Sequence, residues 1–263
     1  MASRSAILER LWHEQPAKMA DGRLVGLCRA LRGWRADLDA LMSWSPRPDR
    51  HPHDWYVEQA WVTEALLDAP EFCDDDLGAW HGYDCYLDPA CGMGTIPKVL
   101  EARHYDVEGC DVVDRGYPGT LVLDFLNPNI EWSDQCFWAG RLSIISNPPY
   151  SCQLNILEDY IKVALGLATN RVAFLVPLGR LAGVERFSLY HGHKPLAVCI
   201  LMERPSMPRG DLVEALGAKA WRRGRMDFCW IVWDVNQPEA KTRTIFLEPR
   251  PAHIRDPRRK VAA

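Results

Sequence analysis

The chain has 263 residues, a formal net charge of −4 and a hydrophobic share of 48%. That composition excludes a disordered or collagen-like chain, and the length suffices to bury one α/β core with an appendage. No apolar run approaches the roughly 18 residues of a membrane span and no signal-peptide-like stretch opens the chain, so a cytoplasmic protein without a membrane partner is expected.

Three short helices, Ala6–Glu14, Arg23–Leu31 and Arg35–Trp44, are predicted in a helical N-terminal extension over residues 1–50. They suit a small helix-turn-helix-like DNA reader, and equally a packing extension or a dimer contact. Pro46–Pro52 reads as a linker. A single α/β domain is expected over 51–240, followed by a basic C-terminal tail over 241–263.

Within the domain, strands are predicted at 83–87, 107–112, 119–123, 142–146, 171–177, 196–203 and 228–234. Residues Tyr86-Leu87-Asp88-Pro89-Ala90-Cys91-Gly92-Met93-Gly94-Thr95-Ile96 read as a strand, a glycine turn and a helix start. Gly92 and Gly94 supply positive φ and let a ligand approach the backbone. Pro97 fits the first turn of a helix over Thr95–Arg103. Asp88 stands where a carboxylate attracts a cationic group. Asp111 follows Gly92 by nineteen residues, the place of an acid that meets ribose hydroxyls in a dinucleotide-type fold. Further on, Leu154, Leu157, Ile161, Leu165 and Ala168 fall on one helix face. The alternation implies a mostly parallel sheet covered by helices on both faces. Ligands in such folds sit at the C-terminal strand edges, where Asp88, Asp111, Asp124 and Asn147 all fall.

The residues after the fourth strand carry the chemistry. Leu142-Ser143-Ile144-Ile145-Ser146 reads as a buried strand, and Asn147-Pro148-Pro149-Tyr150 follows it. A conjugated amino group is a poor nucleophile because its lone pair is delocalised. The Asn147 side-chain oxygen can accept one of its N–H bonds and the Pro148 carbonyl the other, which favours a more tetrahedral nitrogen. Pro148 and Pro149 fix φ and stiffen the turn. Tyr150 offers a flat face for a base rotated out of its stack. Catalysis of this kind is positioning plus hydrogen-bond polarisation.

Together these motifs resemble those of S-adenosylmethionine-dependent DNA N6-adenine methyltransferases. Their order is similar to the gamma group, and the compact form resembles orphan enzymes of phages and prophages. The likeness extends to Asp54-Trp55-Tyr56-Val57-Glu58-Gln59-Ala60-Trp61-Val62-Thr63, to Leu123-Asp124-Phe125-Leu126 and to Val176-Pro177-Leu178. It extends also to Arg204-Pro205-Ser206-Met207 and Trp230-Ile231-Val232-Trp233-Asp234, and spans about residues 52–236. Gln59 departs from the pattern, standing where relatives often carry Pro. The resemblance implies a Rossmann-like class I methyltransferase, α/β, with seven strands of which the last is antiparallel. It implies S-adenosyl-L-methionine as cofactor, held by Trp55, Tyr56, Thr63, Asp88, Ala90, Gly92, Gly94, Thr95, Asp111, Asp124 and Phe125. The implied reaction is methylation of a flipped-out adenine, with Asn147, Pro148, Pro149 and Tyr150 as catalytic residues.

The charge distribution suits a nucleic-acid partner despite the net negative total. Residues 61–140 hold sixteen acids and three bases, Lys98, Arg103 and Arg115, so the remainder is net positive. Trp221, Arg222, Arg223 and Arg225 combine stacking and phosphate contact and are the expected DNA-binding cluster. The tail adds Arg250, Arg255, Arg258, Arg259 and Lys260. Nine scattered cysteines without a Cys-x-x-Cys pair indicate reduced thiols, and Cys91 reads as a space-filling residue. Asp74-Asp75-Asp76 reads as a solvated turn, and no metal is expected. An RNA base, a protein glutamine and a non-catalytic DNA-binding role are the alternatives.

Overall fold

The computed structural model describes residues 50–73, 79–80, 84–127, 141–150, 154–221 and 224–255. The expected N-terminal helices, Asp74–Asp76, Arg222, Arg223, Arg258, Arg259 and Lys260 lie outside the described residues.

Eight strands form one sheet: β1 (Cys85–Asp88), β2 (Asp106–Asp111), β3 (Leu121–Val122), β4 (Leu142–Ser146), β5 (Arg171–Pro177), β6 (Ala197–Leu201), β7 (Phe228–Asp234) and β8 (Arg243–Leu247). Their spatial order is β3-β2-β1-β4-β5-β7-β6-β8. Only β7 runs antiparallel, pairing Arg171 with Asp234 at one end of β5 and Ile200 with Cys229 on β6. This is the Rossmann-like, mostly parallel α/β sheet expected, with the seventh strand reversed.

The centre of the sheet is buried on both faces. Every residue of β4 and β7 is buried, as is all of β5 but Pro177. Two-sided burial of consecutive residues requires cover on both faces, which is why these segments read as unbroken apolar runs. Two indoles of this core are paired: Trp230 Nε1–H donates to Val62 O at 2.9 Å and Trp233 Nε1–H to His193 O at 3.0 Å. The main helices are α1 (Ala60–Leu67), α2 (Thr95–Glu101), α3 (Ile156–Leu167) and α4 (Val184–Gly192). In α3 the buried side chains are Ile156, Leu157, Glu158, Tyr160, Ile161 and Ala164. Leu154, expected on that face, precedes the helix and is 89% exposed.

The sheet has polar networks at both ends. At the N-terminal edge, buried Asp84 accepts Asn170 Nδ2–H at 2.6 Å and pairs with Arg141 Nε at 3.1 Å. The C-terminal edge carries the candidate site.

Two expectations need correction. The sheet has eight strands rather than seven, because residues 243–247, expected in a basic tail, add β8 parallel to β6. Ile245 and Leu247 point inward while Thr244 and Phe246 face out, the alternation of a half-covered edge strand. Arg250 is likewise committed within the fold. Its guanidinium meets Glu203 Oε1 at 2.5 Å and lies 4.7 Å from the Trp61 ring centre.

Ile245→Ala is expected to cost about 2–4 kcal/mol in urea unfolding, as a buried aliphatic truncation. A solvated tail position would shift stability by less than about 0.5 kcal/mol.

Candidate active site

Four strand ends converge on a cavity of about 390 Å³. Asp88 ends β1, Asp111 ends β2, Asp124 follows β3 and Asn147 follows β4. All four line the cavity, with Ala90, Gly92 and Thr95 of the loop after β1 and with Pro149. The size falls in the range of small-molecule sites, roughly 300–1,000 Å³.

The glycine loop adopts the backbone its sequence predicts. Gly92 and Gly94 have φ of 54° and 78°. Their reasons differ. A Cβ on Gly92 would lie 3.1 Å from Trp55 Nε1, at the cavity wall, whereas one on Gly94 would lie 2.2 Å from Tyr117 Cδ2. Gly94 therefore serves packing against Tyr117 and does not line the cavity. Asp111 braces this loop: Oδ2 accepts Gly92 N–H at 3.0 Å, Oδ1 accepts Val113 N–H at 3.1 Å, and Arg115 Nε lies 3.4 Å away.

Residues 52–58 run along the cavity as a strap, every one of them lining it. The strap is fastened on one side to the chain between β6 and β7. Val57 N–H donates to Pro208 O at 2.9 Å and Gly210 N–H donates to Trp55 O at 3.1 Å. Trp55 is held flat by neighbours with no room to spare: a Cβ on Gly210 would meet its ring at 2.0 Å, and Arg115 lies 4.2 Å from its ring centre. Its buried Nε1–H has no hydrogen-bond partner among the described residues.

The other side of the strap is fastened to the turn after β4. Asp54 Oδ2 accepts Tyr150 N–H at 2.8 Å, while Arg180 Nη2–H donates to Tyr150 O at 2.7 Å. Asn147 Nδ2 donates to Tyr56 O at 3.1 Å and to Glu58 Oε2 at 2.7 Å. Both amide hydrogens are thereby committed. Two acceptors around Nδ2 fix which amide atom is nitrogen, so the hydrogen-bonding capacity left on this side chain is that of Oδ1, an acceptor. The Tyr150 hydroxyl donates to Oδ1 and occupies one of its two lone pairs. Asp54 and Glu58 are the two anchors that the motif reading did not assign.

Several expected contacts fall elsewhere. Tyr150 is 7% exposed, its ring tilted against Phe228 with centres 6.3 Å apart. It is a buried hydrogen-bonding residue here, not an open stacking face. Pro148 is buried and, like Tyr150, does not line the cavity. Phe125 is buried beside Tyr160, with ring centres 5.2 Å apart, and the cavity wall at this point is Asp124 and Leu126. Thr63 sits fully buried in α1, away from the lining. Trp221 is 36% exposed and lines a neighbouring hollow with Glu58, Gln59, Met93 and Thr95, which places it beside the mouth of the site. Arg225 is exposed four residues further on.

The cavity is acidic. Asp54, Glu58, Asp88, Asp111 and Asp124 line it against Arg115, whose charge is taken up by Asp111. Asp88 Oδ1 accepts Ser146 Oγ–H at 2.6 Å and Ala90 N–H at 3.1 Å, tying β1 to β4. Burial pushes the Asp88 carboxyl up to about 8 and outweighs these hydrogen bonds, with the Glu58 charge adding to the shift. Burial also raises Glu58, against the opposing bond from Asn147. Carboxyls whose charge is disfavoured by burial regain it beside a positive group, so the place suits a cationic ligand.

No protein-family model matches the chain, and no curated protein matches it. Solved structures with related folds include a proposed RNA methyltransferase from Pyrococcus horikoshii, 14% identical, covering 72% of this chain and 90% of that one, with a TM-score of 0.47. The magnesium protoporphyrin IX methyltransferase of Synechocystis, with bound S-adenosylmethionine, is 11% identical over 66% of this chain and 78% of its own, with a TM-score of 0.41. A predicted N6-adenine-specific DNA methylase from Listeria monocytogenes is 17% identical over 48% and 46%, with a TM-score of 0.28. Among the described residues no group of three or more His, Cys, Asp or Glu is placed to hold a metal ion, and no helix is long and apolar enough to cross a membrane.

Gly94→Ala is expected to lower stability by about 2–5 kcal/mol, combining left-handed strain with the Tyr117 clash. Thermal unfolding checks this, with Gly116→Ala as the contrast: its φ is also positive, at 90°, but nothing lies within 4 Å of its Cβ.

Proposed function

We propose that this chain transfers a methyl group from S-adenosyl-L-methionine to the N6 amino group of adenine in DNA. The observation that carries the reading is the Asn147 amide, held with its oxygen as the remaining acceptor beside an acidic cavity at the strand ends.

The residues present fit this cofactor. Asp88 and Glu58 supply negative charge for its cationic groups, Asp111 and Asp124 supply acceptors for hydroxyl and amino groups, and Trp55 Nε1–H is an unpartnered donor in the wall. When bound, S-adenosylmethionine supplies an electrophilic methyl carbon and a thioether leaving group. Asn147 Oδ1 accepts one N–H of the target amino group on the lone pair that Tyr150 leaves open. The Pro148 carbonyl is the proposed acceptor for the second N–H. Holding both hydrogens draws the nitrogen lone pair out of conjugation. The strap forms one wall of the cavity, and the proton lost by the methylated nitrogen passes to solvent.

DNA as the substrate is supported by the exposed Trp221, which lines a hollow beside the site, and by the exposed Arg225 on the same chain between β6 and β7. Arg222 and Arg223 belong to the same proposed contact. The Trp230–Asp234 segment carries no information on the substrate, because every residue of it is core.

The direct test is transfer of labelled methyl from S-adenosylmethionine to unmethylated DNA, with RNA and protein substrates in parallel. The expected product is N6-methyladenine in DNA, formed at least about 100-fold more slowly by Asn147→Ala. Labelling confined to RNA or protein would reject DNA as the substrate.

A second test uses protons. Near pH 7 the free protein holds Asp88 largely protonated, since its carboxyl titrates at about 8. Because the folded value is raised, ligand-free stability falls as pH rises from the ordinary aspartate range towards 8. A cation bound beside Asp88 lowers that value again and expels the proton. Calorimetric titration in buffers of different ionisation enthalpy should therefore show release of up to about one proton per cofactor bound, abolished in Asp88→Asn. Proton uptake would contradict the assignment.

A further inference from the structure

Beyond the four-residue turn, one side chain stands between the two halves of the site. Glu58 is 6% exposed and touches both of them. Its Oε2 accepts from Asn147 Nδ2 at 2.7 Å, and the Thr95 side chain at the start of α2 also hydrogen-bonds it. The strap residue thus links the turn after β4 to the end of the glycine loop. Asp54, four residues earlier, holds the Tyr150 N–H.

The chemistry of an amide makes this contact consequential. Asn presents an acceptor or a donor depending on a half-turn of its terminal group. Only the oxygen can take an N–H from a substrate amino group; the NH2 face would oppose it. Rotating the Asn147 amide would set its oxygen against the Tyr56 carbonyl and, with Glu58 ionised as its hydrogen bonds from Asn147 and Thr95 favour, against a second acceptor with no hydrogen between. The Tyr56 carbonyl belongs to the backbone and is present whatever the side chain. The Glu58 carboxyl is the part of the lock that the sequence encodes. The Tyr150 hydroxyl does not discriminate, because a hydroxyl both donates and accepts.

We propose that Glu58 is a positioning residue for methyl transfer, locking the Asn147 amide so that its oxygen and not its NH2 meets the target nitrogen. The inference rests on the reading of Asn147 given above. Glu58 acts through Asn147 and need not touch the substrate. Its second bond, to Thr95, ties the lock to the loop that holds the cofactor.

Two variants separate the lock from mere burial. Glu58→Leu keeps the volume and removes the acceptor. Glu58→Gln can keep an acceptor oxygen for Asn147, the arrangement that the neighbouring Tyr56 carbonyl favours over the reversed pair, with its NH2 as donor to the Thr95 hydroxyl. Glu58→Leu is expected to lower kcat, measured at saturating cofactor because Glu58 also lines the cofactor cavity, by about 30–100-fold, the scale of one lost transition-state hydrogen bond. Glu58→Gln is expected to recover most of that kcat. A readout independent of substrate comes from the Asn147 side-chain NH2 signals in 15N-labelled protein, assigned by their loss in Asn147→Ala. They should be protected from exchange in the native chain and in Glu58→Gln, and exposed in Glu58→Leu. Unchanged amide signals in Glu58→Leu, or a glutamine variant as slow as the leucine one, would overturn the lock. If the native chain transfers no methyl to any substrate, the functional reading fails, and the amide signals still decide whether Glu58 fixes Asn147.

Discussion

Both hydrogens of the Asn147 side-chain amide are taken by the strap, one by the Tyr56 carbonyl and one by Glu58. That constraint organises the rest of the site. It requires residues 52–58 to stay against the turn after β4, which Asp54 and Arg180 secure through the Tyr150 backbone. It requires the strap to be anchored on its far side, which Pro208 and Gly210 provide through backbone hydrogen bonds. A turn held only by its two prolines would have the right shape without a defined amide orientation.

The sheet supplies the frame on which this constraint can act. Parallel strands β1, β2, β3 and β4 end side by side, so three acids and Asn147 from four different strand ends reach one cavity. The internal bonds of the site then join neighbours: Ser146 at the end of β4 to Asp88 at the end of β1, and Asp111 at the end of β2 to Gly92. The result is a cavity in which burial raises the Asp88 and Glu58 carboxyls. The same chain between β6 and β7 that fastens the strap also carries Trp221 and Arg225. Cofactor site and proposed nucleic-acid surface therefore share a mechanical support.

Much of this was legible in the sequence, for definite physical reasons. The unbroken apolar runs of β4, β5 and β7 announce two-sided burial, and their predicted boundaries of 142–146, 171–177 and 228–234 coincide with the strands. Gly92 and Gly94 announce positive φ, because only glycine adopts it there without cost. What stayed hidden is what depends on distant partners. Asn147 and Glu58 lie 89 residues apart, and Tyr150 and Asp54 lie 96 apart. No local periodicity encodes such pairs. Tyr150 and Phe125 are hydrophobic enough to be core, and burial took precedence over the stacking and ring contacts their motifs suggested. β8 did have a signal in Arg243-Thr244-Ile245-Phe246-Leu247, whose β-branched and alternating pattern was masked by the basic residues that follow.

A crystal structure of the chain with a non-transferring amine analogue of S-adenosylmethionine would test the central claim most directly. The account predicts the analogue in the cavity beneath Trp55, its cationic amine close to Asp88 and Glu58. Asn147 Nδ2 should still be bonded to Tyr56 O and Glu58, with Oδ1 left to face a substrate. An analogue bound elsewhere, or an Asn147 amide released from the strap or turned with its NH2 towards the substrate side, would contradict it.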